Sequence, residues 1–241
     1  MKRLHLPQAA PGPLRLEGPR FHHLIRVLRV RAGERLEIFD GRGTVFAAEV
    51  VDVGDALATL TLWAGTPQPA PRQISIIQAL PKAEKLEWVL QKATELGASA
   101  FAPVFCERCV VKPSGREDAK VQRWQRIVEE AARQCGRADV PVVHAPQQLI
   151  EAVKAARGAL VLVLDEEEEA LPLSAAVAQA LSDAQPLALV IGPEGGLSRA
   201  EVAALQQQGA VPVTLGRRVL RTETAALAAL AVLLFLQGEL G

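Results

Sequence analysis

Cysteine is scarce in this sequence: Cys106, Cys109 and Cys135 are the only three in 241 residues. So few, and an odd number, exclude a disulfide framework and suit a reducing compartment, so a cytoplasmic location is expected. Cys106-Glu107-Arg108-Cys109 has C-x-x-C spacing. Tetrahedral zinc wants four ligands and only Cys135 is near enough in sequence to be a third, so no metal is expected. No thioredoxin-like context surrounds the pair, and the three read as ordinary reduced cysteines. A membrane-spanning run is absent too. The longest apolar stretch, Thr224–Leu236, lies between Glu223 and Gln237. It falls short of the roughly 18–20 residues that cross a bilayer and reads as a buried helix. The N-terminus has no charged-then-apolar signal pattern, and Pro7, Pro11 and Pro13 interrupt it early, so no secretory signal is expected. Net charge is missing as well, with 27 basic residues against 27 acidic ones. At 49% hydrophobic and 22% charged the composition is globular, and the length suffices for two modest cores or one large one.

Neutrality hides an asymmetry. Residues 1–35 carry Lys2, Arg3, Arg15, Arg20, Arg26, Arg29, Arg31 and Arg35 against Glu17 and Glu34. Such a face attracts phosphate, although a solvated basic surface is the equal alternative. The compensating acids include the run Asp165–Glu169. No internal repeat is visible, and no low-complexity tract beyond that run.

Two rhythms divide the chain. Phe21, Leu24, Ile25 and Leu28 recur at helical spacing within Pro19–Arg31, with Gly33 as the stop. Short β-runs follow at Leu36–Asp40, Val45–Val53 and Leu57–Leu62, the first two joined by Asp40-Gly41-Arg42-Gly43. Close-spaced strands with strong turns predict a small β-barrel. Three prolines within Gly65–Pro71 predict a stiff linker and a boundary between domains at 1–66 and 72–241. Beyond it strands and helices alternate. Strands are predicted at Ile74–Leu80, Ala100–Phe105, Ala159–Leu164, Leu187–Ile191 and Val211–Leu215. Helices are predicted over Ala83–Leu96, Arg116–Gln134, Arg199–Gln208 and about Thr222–Gln237, the third capped by Ser198 with Glu201. Apolar strands alternating with helices predict an α/β domain on a parallel sheet. Trp88 and Trp124 fall among apolar helix positions and read as core.

Two motifs carry chemistry. Ile191-Gly192-Pro193-Glu194-Gly195-Gly196-Leu197-Ser198 ends a buried strand and leads into a helix, where α/β sheets bind ligands. Its glycines permit close backbone approach, but a tight strand-to-helix turn explains them equally. It has no Walker lysine and no G-x-G-x-x-G. Leu215-Gly216-Arg217-Arg218-Val219-Leu220-Arg221-Thr222-Glu223-Thr224-Ala225-Ala226 also follows a strand and enters the last helix, with Thr222 as a plausible N-cap. Its alternative is a basic surface loop. Together the two fit one pocket at adjacent strand ends.

The pairing resembles the SPOUT class of RNA methyltransferases and, more narrowly, the ribosomal RNA small-subunit methyltransferase E family, which methylates uridine N3 in 16S rRNA. The resemblance covers nearly the whole chain. It rests also on His23-Leu24-Ile25-Arg26-Val27-Leu28-Arg29 with Gly33, on Phe39-Asp40-Gly41 with Gly43, on Lys82 with Gln91–Gly97, on Pro103, on Arg123-Trp124 and on Glu130–Arg137. Cys109 departs from it, standing where the family often has serine.

The resemblance implies a PUA-like β-barrel that grips RNA and an α/β domain with a trefoil knot. It implies a homodimer, with the apolar final helix (Leu227, Leu230, Leu233, Leu234) at its interface or else fully internal. The implied cofactor is S-adenosylmethionine, held by Leu164, Ile191, Gly192, Glu194, Gly195, Gly196, Leu215, Gly216, Val219, Leu220, Arg221, Thr222, Thr224 and Ala225. The implied partner is 16S ribosomal RNA or the small ribosomal subunit. Arg26, Arg29, Lys82, Lys92, Arg108, Arg123 and Arg137 are candidate RNA contacts, each equally readable as a surface charge or ion pair, and His23 is another, which equally could brace its own helix. Methylating N3 requires loss of an imide proton. Arg3, Arg221 or Arg137 would stabilise the resulting charge, and Glu194 would orient a reactant, or take the proton if its pKa is raised. Ribose 2′-O-methylation, a non-catalytic RNA-binding role and an anion nest at Gly192–Gly196 are the alternatives.

Overall fold

In the computed structural model, residues 2–70, 72–113, 115 and 117–241 are described. The Arg116 start of the predicted helix and the Pro71 end of the predicted linker lie outside them. The chain divides into two compact units, Met1–Ala70 with Ala132–Val140, and Pro71–Ala131 with Pro141–Gly241.

The first unit holds a six-stranded sheet: β1 (Arg3–His5), β2 (Gly12–Glu17), β3 (Arg35–Phe39), β4 (Thr44–Val53), β5 (Leu57–Leu62) and β6 (Thr66–Pro67). The order is β1-β3-β4-β5-β2, with β6 on β4. Only β1 and β3 run parallel. Alternation sorts the faces: Phe46, Ala48 and Val50 on β4 and Ala58, Leu60 and Leu62 on β5 point into a core with Leu36 and Ile38. Asp40 builds the β3–β4 turn, its Oδ1 accepting from the Arg42 and Thr44 N–H groups at 2.8 and 2.9 Å. Burial pushes this carboxyl up, but those hydrogen bonds outweigh it and hold the group low.

Three expectations change here. β1 and β2 carried no signal, one being three residues long and the other opening on Gly12-Pro13. The predicted Pro19–Arg31 helix is a short α1 (Gly18–His22) running into a π-helical turn, His23–Val27. Leu28 N–H reaches back to His23 O at 3.0 Å, and Arg29 ends the run at φ 50. Finally, the start of the predicted linker pairs as β6, because the extended backbone around proline suits a sheet edge.

The second unit is a seven-stranded, wholly parallel sheet: β7 (Ile74–Ala79), β8 (Ala100–Phe105), β9 (Val142–Val143), β10 (Gln147–Gln148), β11 (Leu160–Leu164), β12 (Leu187–Ile191) and β13 (Val211–Val213). Its order is β10-β8-β7-β12-β11-β13, with β9 on β8. Every residue of β12 is buried, as a central strand covered on both faces requires. The helices are α2 (Lys85–Leu96), α3 (Glu117–Cys135, whose last turn belongs to the first unit), α4 (Leu149–Ala155), α5 (Leu173–Ala176), α6 (Ala178–Ser182), α7 (Arg199–Gln207) and α8 (Thr222–Leu236).

Helix α2 buries Leu86, Val89, Leu90 and Ala93. Trp88 is not core: it is 46% exposed, because two positions on from Leu86 is about 200° round the helix. Trp124 is buried. Helix α8 buries Ala226, Ala229, Leu230, Leu233 and Leu234, while Val232, Phe235 and Leu236 face outward. No helix among the described residues is long and apolar enough to cross a membrane.

Candidate functional site

Because β12, β11 and β13 are adjacent and parallel, their carboxyl ends lie along one edge of the sheet. Three connections leave from that edge, starting at Asp165, Gly192 and Thr214, and they enclose a cavity of about 750 Å³. It is lined by Leu164, Asp165, Glu166, Glu168 and Glu169 from the first, 191–194 with Gly196 and Leu197 from the second, and 213–222 with Ala225 from the third. Lys85, the first residue of α2, closes one side.

Each connection is fixed by its own chemistry. In the Gly192 turn, the Gly196 N–H donates to Pro193 O at 2.9 Å. Gly196 has φ +68, and a Cβ there would stand 2.6 Å from Glu166 Oε1. Ser198 caps α7 in a full capping box with Glu201. Arg108 Nη1 donates to Gly195 O at 2.8 Å, and Glu107 N–H donates to Glu201 Oε1 at 2.8 Å. The Cys106–Cys109 turn therefore braces the glycine turn from outside. Both thiols are free and buried. Their mutual hydrogen bond draws Cys109 down to about 7 and pushes Cys106 up. Among the described residues no group of three or more His, Cys, Asp or Glu side chains is placed to hold a metal ion.

Asp165 anchors the acidic connection. Its buried carboxylate takes both Arg199 Nη atoms, at 2.7 and 2.6 Å, and the Glu167 N–H at 3.1 Å. The Arg199 guanidinium, through that paired hydrogen bond, holds this carboxyl below its usual range.

Glu194 accepts from Lys85 Nζ at 3.0 Å and from the Lys82 N–H at 3.1 Å, while Lys85 also faces Glu223 at 3.4 Å. Burial pushes the Glu194 carboxyl up, but hydrogen bonds from its own turn, from Lys85 and from Lys82 hold it below its usual range. The condition under which Glu194 would take a proton, a raised pKa, is therefore not met.

Thr222 is not the N-cap of α8. Arg221 holds that place, with no side-chain capping bond. Thr222 lies one residue further on, buried, and its Oγ1 donates to Gly192 O at 2.6 Å and accepts from Gln78 Nε2 at 2.9 Å. It ties the second and third connections together.

Of the expected cofactor residues, Leu164, Ile191, Gly192, Glu194, Gly196, Leu215, Gly216, Val219, Leu220, Arg221, Thr222 and Ala225 line the cavity. Gly195 lies outside the lining, braced by Arg108, and Thr224 is exposed beyond it. The acidic wall was missed. The run Asp165–Glu169 reads as charge compensation, although its position directly after an apolar strand was the available signal. Arg217 and Arg218, inside the second motif, also line the cavity, and so does Lys85, which was missed.

Arg3 lies on β1 of the first unit. Its Nε donates to Glu37 at 2.9 Å, its Nη1 to Arg137 O at 3.1 Å, and its guanidinium covers the Phe39 ring at 4.8 Å. Arg137 pairs with Asp139. Arg26 and Arg29 are exposed, and the buried His23 Nε2 has no hydrogen-bond partner among the described residues. Lys92 pairs with Glu95, and Arg123 with Glu87 at 2.7 Å. Lys82 is exposed, with its backbone N–H on Glu194.

Residues 68–234 match the family model of the RNA methyltransferase domain, and residues 16–62 match that of the RNA methyltransferase PUA domain. The chain is 37% identical to ribosomal RNA small subunit methyltransferase E of Bacillus subtilis, over 90% of this chain and 88% of that protein. It is 41% identical to the protein of the same name from Mycobacterium bovis, over 89% and 83%. Among solved structures it resembles a ribosomal RNA small subunit methyltransferase E from Neisseria gonorrhoeae bound to S-adenosyl methionine. That likeness has TM-score 0.84 and 31% identity, covering 98% of each chain. A methyltransferase of Legionella pneumophila in complex with the same cofactor gives TM-score 0.84 and 34% identity, covering 97% of each.

Proposed function

Because this chain belongs to the ribosomal RNA small subunit methyltransferase E family, we propose that it transfers a methyl group from S-adenosylmethionine to N3 of a uridine in 16S rRNA. The observation that carries this reading is the convergence of three strand-end connections on one cavity of about 750 Å³, within the size range of small-molecule sites. Its chemistry fits the donor. Leu164, Ile191, Leu197, Val213 and Leu220 offer apolar surface to an adenine ring. Glu166, Glu168 and Glu169 offer negative charge to the sulfonium and ammonium, and Gly192 and Gly196 let backbone come close.

The donor residues proposed are the fourteen expected from sequence, with Gly195 and Thr224 supporting those that line the cavity. The donor, when bound, supplies an electrophilic methyl on sulfur. The chain's own residues hold that methyl in line with N3 and stabilise the uridine anion. Arg221, at the cavity rim, is the guanidinium proposed for the uracil oxygens. Arg3 is proposed for the same role. Glu194, held by Lys85 and the Lys82 N–H, orients a reactant.

The proposal extends to the whole molecule. Residues 1–66 form a PUA-like barrel that grips RNA through His23, Arg26 and Arg29. Residues 72–241 form a SPOUT domain whose cofactor connections are threaded as a trefoil knot. Lys82, Lys92, Arg108, Arg123 and Arg137 extend the RNA contact. The protein acts in the cytoplasm as a homodimer, and the outward Val232, Phe235 and Leu236 of α8 support an interface there. Mass spectrometry of 16S rRNA from a deletion strain tests the reading. Loss of one N3-methyluridine, restored by the intact gene, is expected, and an unchanged level would overturn it.

A further inference from the structure

Strand β7 is buried along most of its length, yet it carries an amide near its end. Gln78 is 1% exposed, among Ile74, Ile76, Ile77 and Ala79. Its register partner on β12 is Ile191, the residue before Gly192. Its Nε2 donates to Thr222 Oγ1 at 2.9 Å and to Ala79 O at 3.1 Å, while its Oε1 is buried with no partner among the described residues. A leucine or methionine would fill the same place without burying an unpaired oxygen. The amide is therefore not explained by packing.

The direction of the hydrogen bonds shows what it does. A threonine hydroxyl has one proton to give. Thr222 gives it to Gly192 O at 2.6 Å and so receives from Gln78. The relay Gln78 → Thr222 → Gly192 joins three segments far apart in sequence: the end of β7, the first turn of α8 and the first residue of the glycine turn. Both of the turns it joins line the cavity, whereas Gln78 is not among the lining residues.

We propose that the buried Gln78–Thr222 relay is a positioning latch that registers the Gly192 turn against the start of α8 and so sets affinity for the methyl donor. It rests on the reading of the cavity as the S-adenosylmethionine site. Gln78 acts only through Thr222, and Thr222 acts by aiming the Gly192 carbonyl. With the hydroxyl gone, that carbonyl has lost its donor in a buried place. The turn must rotate to find another, and the surface that the donor meets moves with it.

Calorimetric titration of the full chain with S-adenosylmethionine, beside steady-state kinetics, tests the latch. Thr222→Val and Gln78→Leu should each weaken binding roughly tenfold, the loss expected for one orphaned buried group. In Gln78→Leu, whose residue lies outside the cavity lining, KM for the donor should rise while kcat at saturation stays within about twofold. Thr222→Ser, which keeps the hydroxyl, should restore wild-type affinity. The double variant should be no weaker than the worse single one, because both changes break the same relay. Gln78→Met serves in place of Gln78→Leu should the branched side chain prevent folding. Wild-type affinity in Thr222→Val, losses that multiply in the double variant, or a Thr222→Ser as weak as Thr222→Val would each overturn the latch. A wild-type chain that binds no S-adenosylmethionine would instead overturn the cofactor reading beneath it.

Discussion

Gly196 offers the sharpest test of the cavity's construction. It sits at φ +68, and an added Cβ would lie 2.6 Å from Glu166 Oε1 and 3.2 Å from Glu166 Cδ. Two terms separate in Gly196→Ala. Holding an L-residue in the left-handed region costs about 1 kcal/mol. Clearing the carboxylate adds at most about 1 kcal/mol, since the obstructing atom is the free end of a flexible side chain and not packed core. The sum, about 1–2 kcal/mol, corresponds to a fall in Tm of about 2–8 °C for a domain of this size. Glu166 lines the cavity, so its displaced carboxylate also moves within the donor site, and affinity for S-adenosylmethionine should fall. In a Glu166→Ala background the obstacle is gone, and the added loss from Gly196→Ala should shrink to the backbone term. Thermal denaturation of the four proteins followed by circular dichroism, with donor titrations, completes the cycle. An unchanged Tm in Gly196→Ala would refute the left-handed turn. An undiminished loss in the Glu166→Ala background would refute the placement of the carboxylate.

Asp165 predicts an acid limb. Its carboxyl is held low by Arg199, so the stabilisation is complete above the ordinary carboxylate range and is lost as pH falls through the depressed value. Asp165→Asn should flatten the stability profile below about pH 4, and an equally steep limb in urea titrations would contradict this. Arg199→Gln leaves the buried carboxylate without its partner, and should cost about 1–2 kcal/mol at pH 7, discounted for the half-exposed guanidinium. Lys85→Met removes the cation from Glu194, whose carboxyl should rise, though its own turn and the Lys82 N–H still oppose burial. As pH falls, donor affinity in that variant should then begin to weaken at a higher pH than the wild type's does, and parallel calorimetric profiles would refute the role. Arg26→Ala and Arg29→Ala should each lower the slope of log affinity against log salt for 16S rRNA by about 1, whereas a solvated surface charge would leave the slope unchanged in filter binding.

Legibility followed the strength of the local signal. β12 and β5 read with their observed bounds because their patterns are clear: five apolar residues in one, and Ala58, Leu60 and Leu62 alternating with Thr59 and Thr61 in the other. β1 is too short to show a period, and the π-helical turn after α1 keeps the apolar spacing of a helix while changing its hydrogen bonds. The two turns of the candidate site were visible from glycines and strand ends, but their joint anchor was not. Nothing in the local pattern of Gln78 says that it meets a threonine 144 residues away. Thr222 looked like a cap because threonine before an apolar helix usually is one. Its true partners lie at the end of β7 and in the turn after β12. The acidic run failed for a different reason. Charge runs are commonly solvated, and only the placement of β11 between β12 and β13 turns this one into a cavity wall.

That placement also explains how a chain with no net charge comes to have a strongly polarised site. Each of the three adjacent strands ends in a connection of different character: acidic after β11, glycine-rich after β12, arginine-rich after β13. Folding brings both signs of a sequence-level balance to one cavity, with Glu166, Glu168 and Glu169 from one connection and Arg217, Arg218 and Arg221 from another around the same space. Opposed charges suit a ligand that is itself divided. On the proposed reading, the sulfonium and ammonium of the donor favour the acidic wall, Arg221 serves the uracil oxygens, and Arg217 and Arg218 remain for the donor carboxylate and the RNA phosphates. The acidic wall has a cost for RNA, since a polyanion is repelled by it within about a Debye length, about 8 Å at physiological salt. A bound cationic donor offsets part of that charge. It follows that the donor should strengthen RNA binding at low salt, and that the coupling should fade as salt rises, which paired titrations with and without S-adenosylmethionine would reveal.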